Sequence, residues 1–196
     1  MFLLNSLYIV HQNVQDEKKI ALDMDEVIVN IYDRFISLYV EQYNVVPNPE
    51  DYVGRKFYNV KGAENFRNYL FEPGFFLDLP IFEGAADVVE WLNTHFDLFI
   101  VTAAQEFPHS LIDKYHWLQK HLPFISWKQF VFCGDKSIIK ADYMIDDHVH
   151  NLKTFDGLGL LFSASHNINE NGYIRLNNWN EVKLFFEKEL ENEPVR

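Results

Sequence analysis

Short apolar runs separated by helix-length stretches constrain this chain more than any other feature. Residues 20–22, 98–101, 130–133, 143–145 and 160–162 form such runs, rich in β-branched or aromatic side chains and without strict alternation. That is the signature of strands covered on both faces. Between them lie segments of helical length at 84–96, 110–121 and 179–190. The alternation predicts an α/β, Rossmann-like parallel sheet with helices on both faces. In an open sheet of this kind the active site lies beyond the carboxyl ends of the strands.

The stretch from about 32 to 80 breaks the rhythm. It begins with an amphipathic helix at 31–43, meets Pro47 and Pro49, and continues through a second helical stretch near 63–71 to Pro73-Gly74. Too long for a simple strand-to-helix connection, it reads as a small helical cap, 31–80, inserted after the first strand and lying over the strand tips. The remaining residues, 1–30 and 81–196, form the α/β core. The chain shows no internal repeat or low-complexity tract, and its charged tail, 187–196, is expected to fray.

At 196 residues the chain suits one domain with a modest insertion, and 48% hydrophobic residues exclude a disordered one. A formal net charge of −12 argues against a polynucleotide or an anionic membrane as partner, because both are held by Lys/Arg surfaces. A small phosphorylated substrate is still allowed if one local site supplies positive charge. The one cysteine, Cys133, lies in an apolar run; it excludes an intramolecular disulfide, reads as buried and inert, and fits a reducing compartment. Residues 1–10 are apolar but lack a basic flank and a small-residue cleavage site, so they read as a packed strand or helix, or as an extension. No run approaches the ~20 apolar residues that span a bilayer. The expectation is a soluble, cytoplasmic protein.

The chemistry starts at Ile20-Ala21-Leu22-Asp23-Met24-Asp25-Glu26-Val27, where an apolar run ends in two aspartates one residue apart. On a buried strand both carboxylates leave the tip together while Met24 turns away. Two acids so placed repel unless a cation lies between them, which implies a hard divalent ion such as Mg²⁺. Taken alone, Asp-x-Asp can also cap a helix or form a turn. The other strand ends carry related groups: Thr102-Ala103-Ala104 after the second run, Lys136 after the third, Asp146-Asp147 after the fourth. Capping, solvation and surface placement explain each singly; they do not explain all of them at successive strand ends.

In that order, Asp-x-Asp-x-Val, Thr, Lys and Asp-Asp, the chain resembles the haloacid dehalogenase-like phosphatases. More narrowly it is similar to the 5′(3′)-deoxyribonucleotidases, through Asp23-Met24-Asp25, Lys114-Tyr115-x-Trp117, Asp135-Lys136-Ser137 and residues 161–167. The likeness extends from Ile20 to about Trp179. It implies Asp23 as nucleophile, forming an aspartyl-phosphate, and Asp25 as general acid and then base, with its backbone carbonyl on the metal. Thr102 would donate to a phosphoryl oxygen and Lys136 would hold Asp23 and the phosphate together. The metal set is Asp23, Asp25 and at least one of Asp146 and Asp147. Glu26 stands where the narrower group commonly has Gly, whose amide meets the phosphate; the Glu26 amide can still donate there if the backbone angles allow, with its carboxylate pointing away. Ala103, Ala104, Gln105 and Glu106 replace a Ser-Pro segment with a nearby Lys.

The same resemblance gives substrate preference to cap aromatics packed on base and sugar. Candidates are Phe57, Tyr58, Phe75 and Phe76, with Ala103 at the phosphate and His148 within reach of the substrate. Each aromatic is as readily explained by core packing. Ile31 stands where an aromatic is expected. His148 and His150 together also admit a transition-metal reading, though the oxygen cluster already accounts for a cation. His166-Asn167 reads as a loop held by hydrogen bonds. The leading expectation is a Mg²⁺-dependent phosphomonoesterase acting on a deoxyribonucleoside monophosphate. A ribonucleotide or sugar phosphate would use identical chemistry, and a phospho-acceptor signalling domain is a remoter alternative. The sequence leaves a homodimer open.

Overall fold

The apolar runs assemble into one six-stranded parallel sheet in the computed structural model, which describes residues 17–192. The segment 1–16, read above as a packed element or an extension, lies outside the described residues. The strands are β1 (Lys19–Leu22), β2 (Asp97–Thr102), β3 (Phe130–Phe132), β4 (Tyr143–Asp146), β5 (Leu158–Phe162) and β6 (Ile174–Leu176). Their order is β3-β2-β1-β4-β5-β6, and every pairing is parallel. The order runs outward from β1 to β3 on one side and from β4 to β6 on the other, which puts the switch point between β1 and β4.

Alternate strand residues explain why the runs are apolar without a break. Ile20, Leu22, Leu98, Ile100, Ile145 and Leu160 enter one core, while Ala21, Val101, Met144 and Leu161 enter a second on the opposite face. The first core also takes buried residues of α3 (Ala85–His95), α4 (Ser110–His121) and α6 (Trp179–Glu191); the second takes Val149 and Leu152 of α5 (Val149–Lys153). Gly159 lets α5 approach β5, since a Cβ there would come within 3.2 Å of Leu152. Cys133 is buried, its thiol donating to the Asp135 carbonyl at 3.1 Å.

Residues 31–80 contain α1 (Ile31–Tyr43), the single turn α2 (Pro49–Tyr52) and 3₁₀ turns at Phe57–Asn59 and Phe66–Phe71. The Asn30 side chain caps α1 by accepting from the Asp33 amide at 2.9 Å, and Asn44 closes it at φ 54°. The two ends of the segment lie side by side: Val29 and Ile81 form an antiparallel bridge, and the Asn30 amide donates to the Pro80 carbonyl at 2.9 Å. Its rings pack on one another, Phe35 against Phe57, Phe66 and Phe75 at 5.5, 6.2 and 5.6 Å. This aromatic cluster is continuous with the first core.

Three local features differ from the sequence reading. The second helical stretch is a 3₁₀ turn over Phe66–Phe71, where large aromatics satisfy packing without a full helix. β6 was not anticipated because Arg175 interrupts its apolar pattern; the guanidinium turns back to the Asn167 side chain and the Glu170 carbonyl at 2.9 and 2.6 Å. The tail expected to fray from 187 is helical through Glu191, because Phe186 is buried and Val182 and Trp179 anchor the same face. Among the described residues, no helix is long and apolar enough to cross a membrane.

Candidate active site

Every group singled out at a strand end falls on the carboxyl edge of the sheet. Asp23 follows β1, its amide donating to the Ile145 carbonyl at 2.9 Å, and Asp146 closes β4 beside it. Thr102 ends β2 on the other flank, and Lys136 opens the 3₁₀ turn Lys136–Ile138 after β3. The Met24 carbonyl accepts from the Ile28 and Val29 amides at 2.9 and 3.0 Å, so the chain turns sharply and buries Met24 completely. Asp23 and Asp25 are left facing a cavity of about 320 Å³. That volume suits a small organic ligand.

Lys136 Nζ bridges Asp23 Oδ1 and Asp146 Oδ2 at 2.7 Å each, all three side chains being more than nine-tenths buried. Burial opposes the charge on Lys136, but the two aspartates and their hydrogen bonds outweigh it and raise its pKa. Burial also raises the Asp23 carboxyl well above the ordinary range; Lys136 pulls it down, and Asp146, Asp147 and Asp25 push it up. Asp146 is fully engaged, accepting also from the His148 amide at 2.8 Å and from Asn151 Nδ2 at 3.1 and 2.9 Å. Asp147 differs. Its Oδ1 meets His148 Nδ1 at 2.7 Å, while Oδ2 is buried without a hydrogen bond. Burial works against its charge, yet His148 and then His166 hold its carboxyl below the usual range.

Lys114 is the residue the sequence reading did not give a role. On α4 it is fully buried, and Nζ donates to Asp25 Oδ2 at 2.5 Å and to Thr102 Oγ1 at 2.9 Å, 4.9 Å from the centre of the Phe76 ring. A signal was present: Ser110, Asp113, Lys114, Trp117 and Leu118 form the buried stripe of an amphipathic helix, and a lysine on such a stripe requires a partner. Thr102 receives this lysine and does not line the cavity, though its own hydroxyl proton remains available.

Oxygen donors fit a hard divalent cation here. Asp23, Asp146 and Asp147 offer carboxylate oxygens within 4.8 Å of one another, and Asp25 Oδ1 and Asp147 Oδ2 are buried without partners. Four aspartates against the two buried lysines leave a deficit that one divalent ion would neutralise.

Glu26 departs from the expected role at the phosphate. It sits at φ 55°, the left-handed region that Gly adopts freely, and its amide already donates to the Val29 carbonyl at 2.8 Å. Its Oε1 accepts from the first amides of α1, Ile31 at 2.6 Å and Tyr32 at 3.0 Å. Burial lifts its pKa to about 8, with Asp147 adding and the two amides opposing. The carboxyl therefore serves α1.

Glu26, Phe57, Tyr58, Phe76, Ala103 and His148 line the cavity, and Phe75 does not. Phe75 is 5% exposed, packed on Phe35 and Phe76 inside the aromatic cluster. Cavity residues absent from the sequence reading include Tyr32, Phe35, Lys56, Arg67 and Phe107. Arg67 pairs with Glu106 at 2.7 Å and lies 5.6 Å from the Phe107 ring centre, joining the 31–80 segment to the turn after β2. His150 is within ring contact of His148, but the triplet of potential ligand atoms there is Asp147, His148 and His166.

Comparison with known proteins adds sequence kinship to this geometry. The family model described as 5′ nucleotidase, deoxy (pyrimidine), cytosolic type C protein matches residues 17–189. A Staphylococcus epidermidis protein, provisionally named a 5′(3′)-deoxyribonucleotidase, is 39% identical over 171 residues, 86% of this chain and 96% of its own length. The Bacillus subtilis 5′(3′)-deoxyribonucleotidase is 36% identical over 173 residues, 85% and 97% of the two chains. Among solved structures, a haloacid dehalogenase-like hydrolase from Burkholderia xenovorans superposes with a TM-score of 0.55 at 8% identity, covering 89% of this chain and 99% of that one.

Proposed function

The chain belongs to the 5′ nucleotidase, deoxy (pyrimidine), cytosolic type C family, and from that premise we propose that it hydrolyses deoxyribonucleoside 5′(3′)-monophosphates through Asp23. It is a phosphoric monoester hydrolase of haloacid dehalogenase-like fold, acting on nucleotides. The observation that carries the finer reading is the pair of aspartates at the β1 tip, each held by its own buried lysine, on the floor of an aromatic-lined cavity.

In this reading Asp23 attacks phosphorus in line, forming an aspartyl-phosphate as the P–O bond to the sugar breaks. Lys136 fixes the attacking carboxylate and offsets the charge that would otherwise repel a phosphate dianion. Asp25 gives a proton to the departing sugar oxygen, then takes one from the water that cleaves the intermediate. Lys114 orients Asp25 for both steps and ties it to Thr102. Asp23, the Asp25 carbonyl and Asp147 would hold Mg²⁺, with Asp146 committed to Lys136 and Asn151. When bound there, Mg²⁺ would supply charge that offsets the negative charge of the phosphoryl group. Residues 31–80 act as a cap whose Phe57, Tyr58 and Phe76 enclose the nucleoside, and the single buried Cys133 fits a cytoplasmic location.

Phosphate release from a panel of deoxyribo- and ribonucleotides and sugar phosphates, with Mg²⁺ or EDTA, tests this directly. Preference for a deoxynucleotide that disappears with EDTA and in Asp23→Asn is the expected result. Metal-dependent release spread evenly across the panel would overturn the substrate and leave the chemistry standing.

A further inference from the structure

His166 is a buried group that the hydrolytic reading does not use. Its side chain is 9% exposed; Nδ1 has no hydrogen-bond partner, and Nε2 has only the Asp147 carboxylate beside it. Leaving such groups unpaired in the interior costs on the order of 1–3 kcal/mol. The ring cannot readily turn to solvent. Neighbouring Asn167 donates to the Asp147 and Phe162 carbonyls at 2.8 Å each, Arg175 donates to its side-chain oxygen at 2.9 Å, and the His166 ring packs 4.6 Å from that of His148 and 6.4 Å from that of Tyr32. His166 Nε2 is aimed at Asp147 Oδ2, 3.2 Å away, without hydrogen-bond geometry.

We propose that Asp147, His148 and His166 form a second divalent-cation site, for a borderline-soft transition metal, adjoining the oxygen cluster and sharing Asp147 with it. One ligand atom from each residue lies within 4.8 Å of the others. The contacts of 2.7 Å from Asp147 Oδ1 to His148 Nδ1 and 3.2 Å from Asp147 Oδ2 to His166 Nε2 approximate edges of a coordination shell that the carboxylate would enter through either oxygen. Metal–ligand bonds of about 2.0–2.2 Å give ligand–ligand edges of roughly 3 Å. Two imidazoles and a carboxylate favour Zn²⁺ or Co²⁺, whereas Mg²⁺ selects the all-oxygen set next door. The ligands come from the end of β4, the residue before α5 and the turn after β5, so the backbone already presents them.

Lys56 sets the cost of filling this site. Its Nζ lies 2.5 Å from His148 Nε2, which in neutral His148 makes Nε2 the acceptor and leaves the proton on Nδ1, facing Asp147. A cation on Nδ1 moves that proton to Nε2, which can then only donate, so Lys56 must withdraw. Occupancy thus competes with a contact joining the 31–80 segment to the sheet.

The test is Co²⁺ titration of the metal-free full chain in excess Mg²⁺, followed by visible absorption and equilibrium dialysis. The expected result is one Co²⁺ per chain with an imidazole-type spectrum, weakened at least about tenfold by His166→Gln or His148→Gln and tightened by Lys56→Met. Uptake unchanged in both histidine variants, or none at millimolar Co²⁺, overturns the proposal. If neither variant folds, the parent spectrum decides: faint, all-oxygen octahedral absorption also overturns it.

Discussion

Replacing Lys136 by Met removes the one cation shared by Asp23 and Asp146 and keeps the side-chain volume. Both contacts are 2.7 Å and the three groups are 4, 8 and 0% exposed, so solvent cannot replace the lost charge. Breaking a buried pair from one side costs about 3–5 kcal/mol. Protonation sets a ceiling. An orphaned carboxyl can bind a proton at about 1.4 kcal/mol for each pH unit above its ordinary value near 4, so one such group costs at most about 4 kcal/mol at pH 7 and about 1.5 at pH 5. The sign follows from Asp23, which burial raises and Lys136 lowers. With Lys136 gone its folded pKa climbs further, so the folded variant holds a proton that the unfolded chain releases, and stability falls as pH rises from about 4. Urea unfolding in EDTA at pH 5 and 7.5 reads this out. The variant should lose roughly 3–4 kcal/mol at pH 7.5, a drop of about 6–16 °C in Tm for a chain of this size, and less than half of that free energy at pH 5. An equal penalty at both pH values, or one below about 1 kcal/mol at pH 7.5, refutes the reasoning.

Lys114→Met should lower kcat at least about 100-fold with a much smaller change in KM, because it frees Asp25 and meets the nucleoside walls only at the Phe76 ring; steady-state kinetics on a deoxynucleotide checks the split. Glu26→Gln should gain on the parent between pH 5 and 8 in metal-free protein, since a pKa raised to about 8 makes the parent lose stability across that window; unfolding free energies from denaturant titrations should show a relative gain of roughly 3–4 kcal/mol from one end to the other. Mg²⁺ at about 100 times its Kd should stabilise the parent by about 2.7 kcal/mol and EDTA should abolish hydrolysis, with the thermal shift lost in Asp147→Asn.

The strands and helices were legible because their information is local. Five strands and helices α1, α3, α4 and α6 follow from runs and periodicities a few residues long, and the ends of those strands pointed to Asp23, Thr102, Lys136 and Asp146. β6 escaped because Arg175 breaks its apolar run and places its charge on the turn five to eight residues before it, a contact the strand's own pattern does not record. Phe75 and Phe76 are adjacent in sequence, and only packing separates the core ring from the cavity ring. Glu26 could be marked as a departure, but its service to the α1 amides depends on a left-handed turn at φ 55°.

What the sequence determined by itself is the α/β class, the edge of the sheet that bears the chemistry and the family, since all three are written in residue type and spacing. Tertiary structure alone decided the partners. Lys114 meets Asp25 across 89 positions, Lys56 meets His148 across 92, and Asp147 rather than Asp146 keeps an oxygen without a hydrogen bond. The physical reason is that burial makes a polar group's energy depend on the atoms within about 3 Å of it, and those atoms are brought there by the fold.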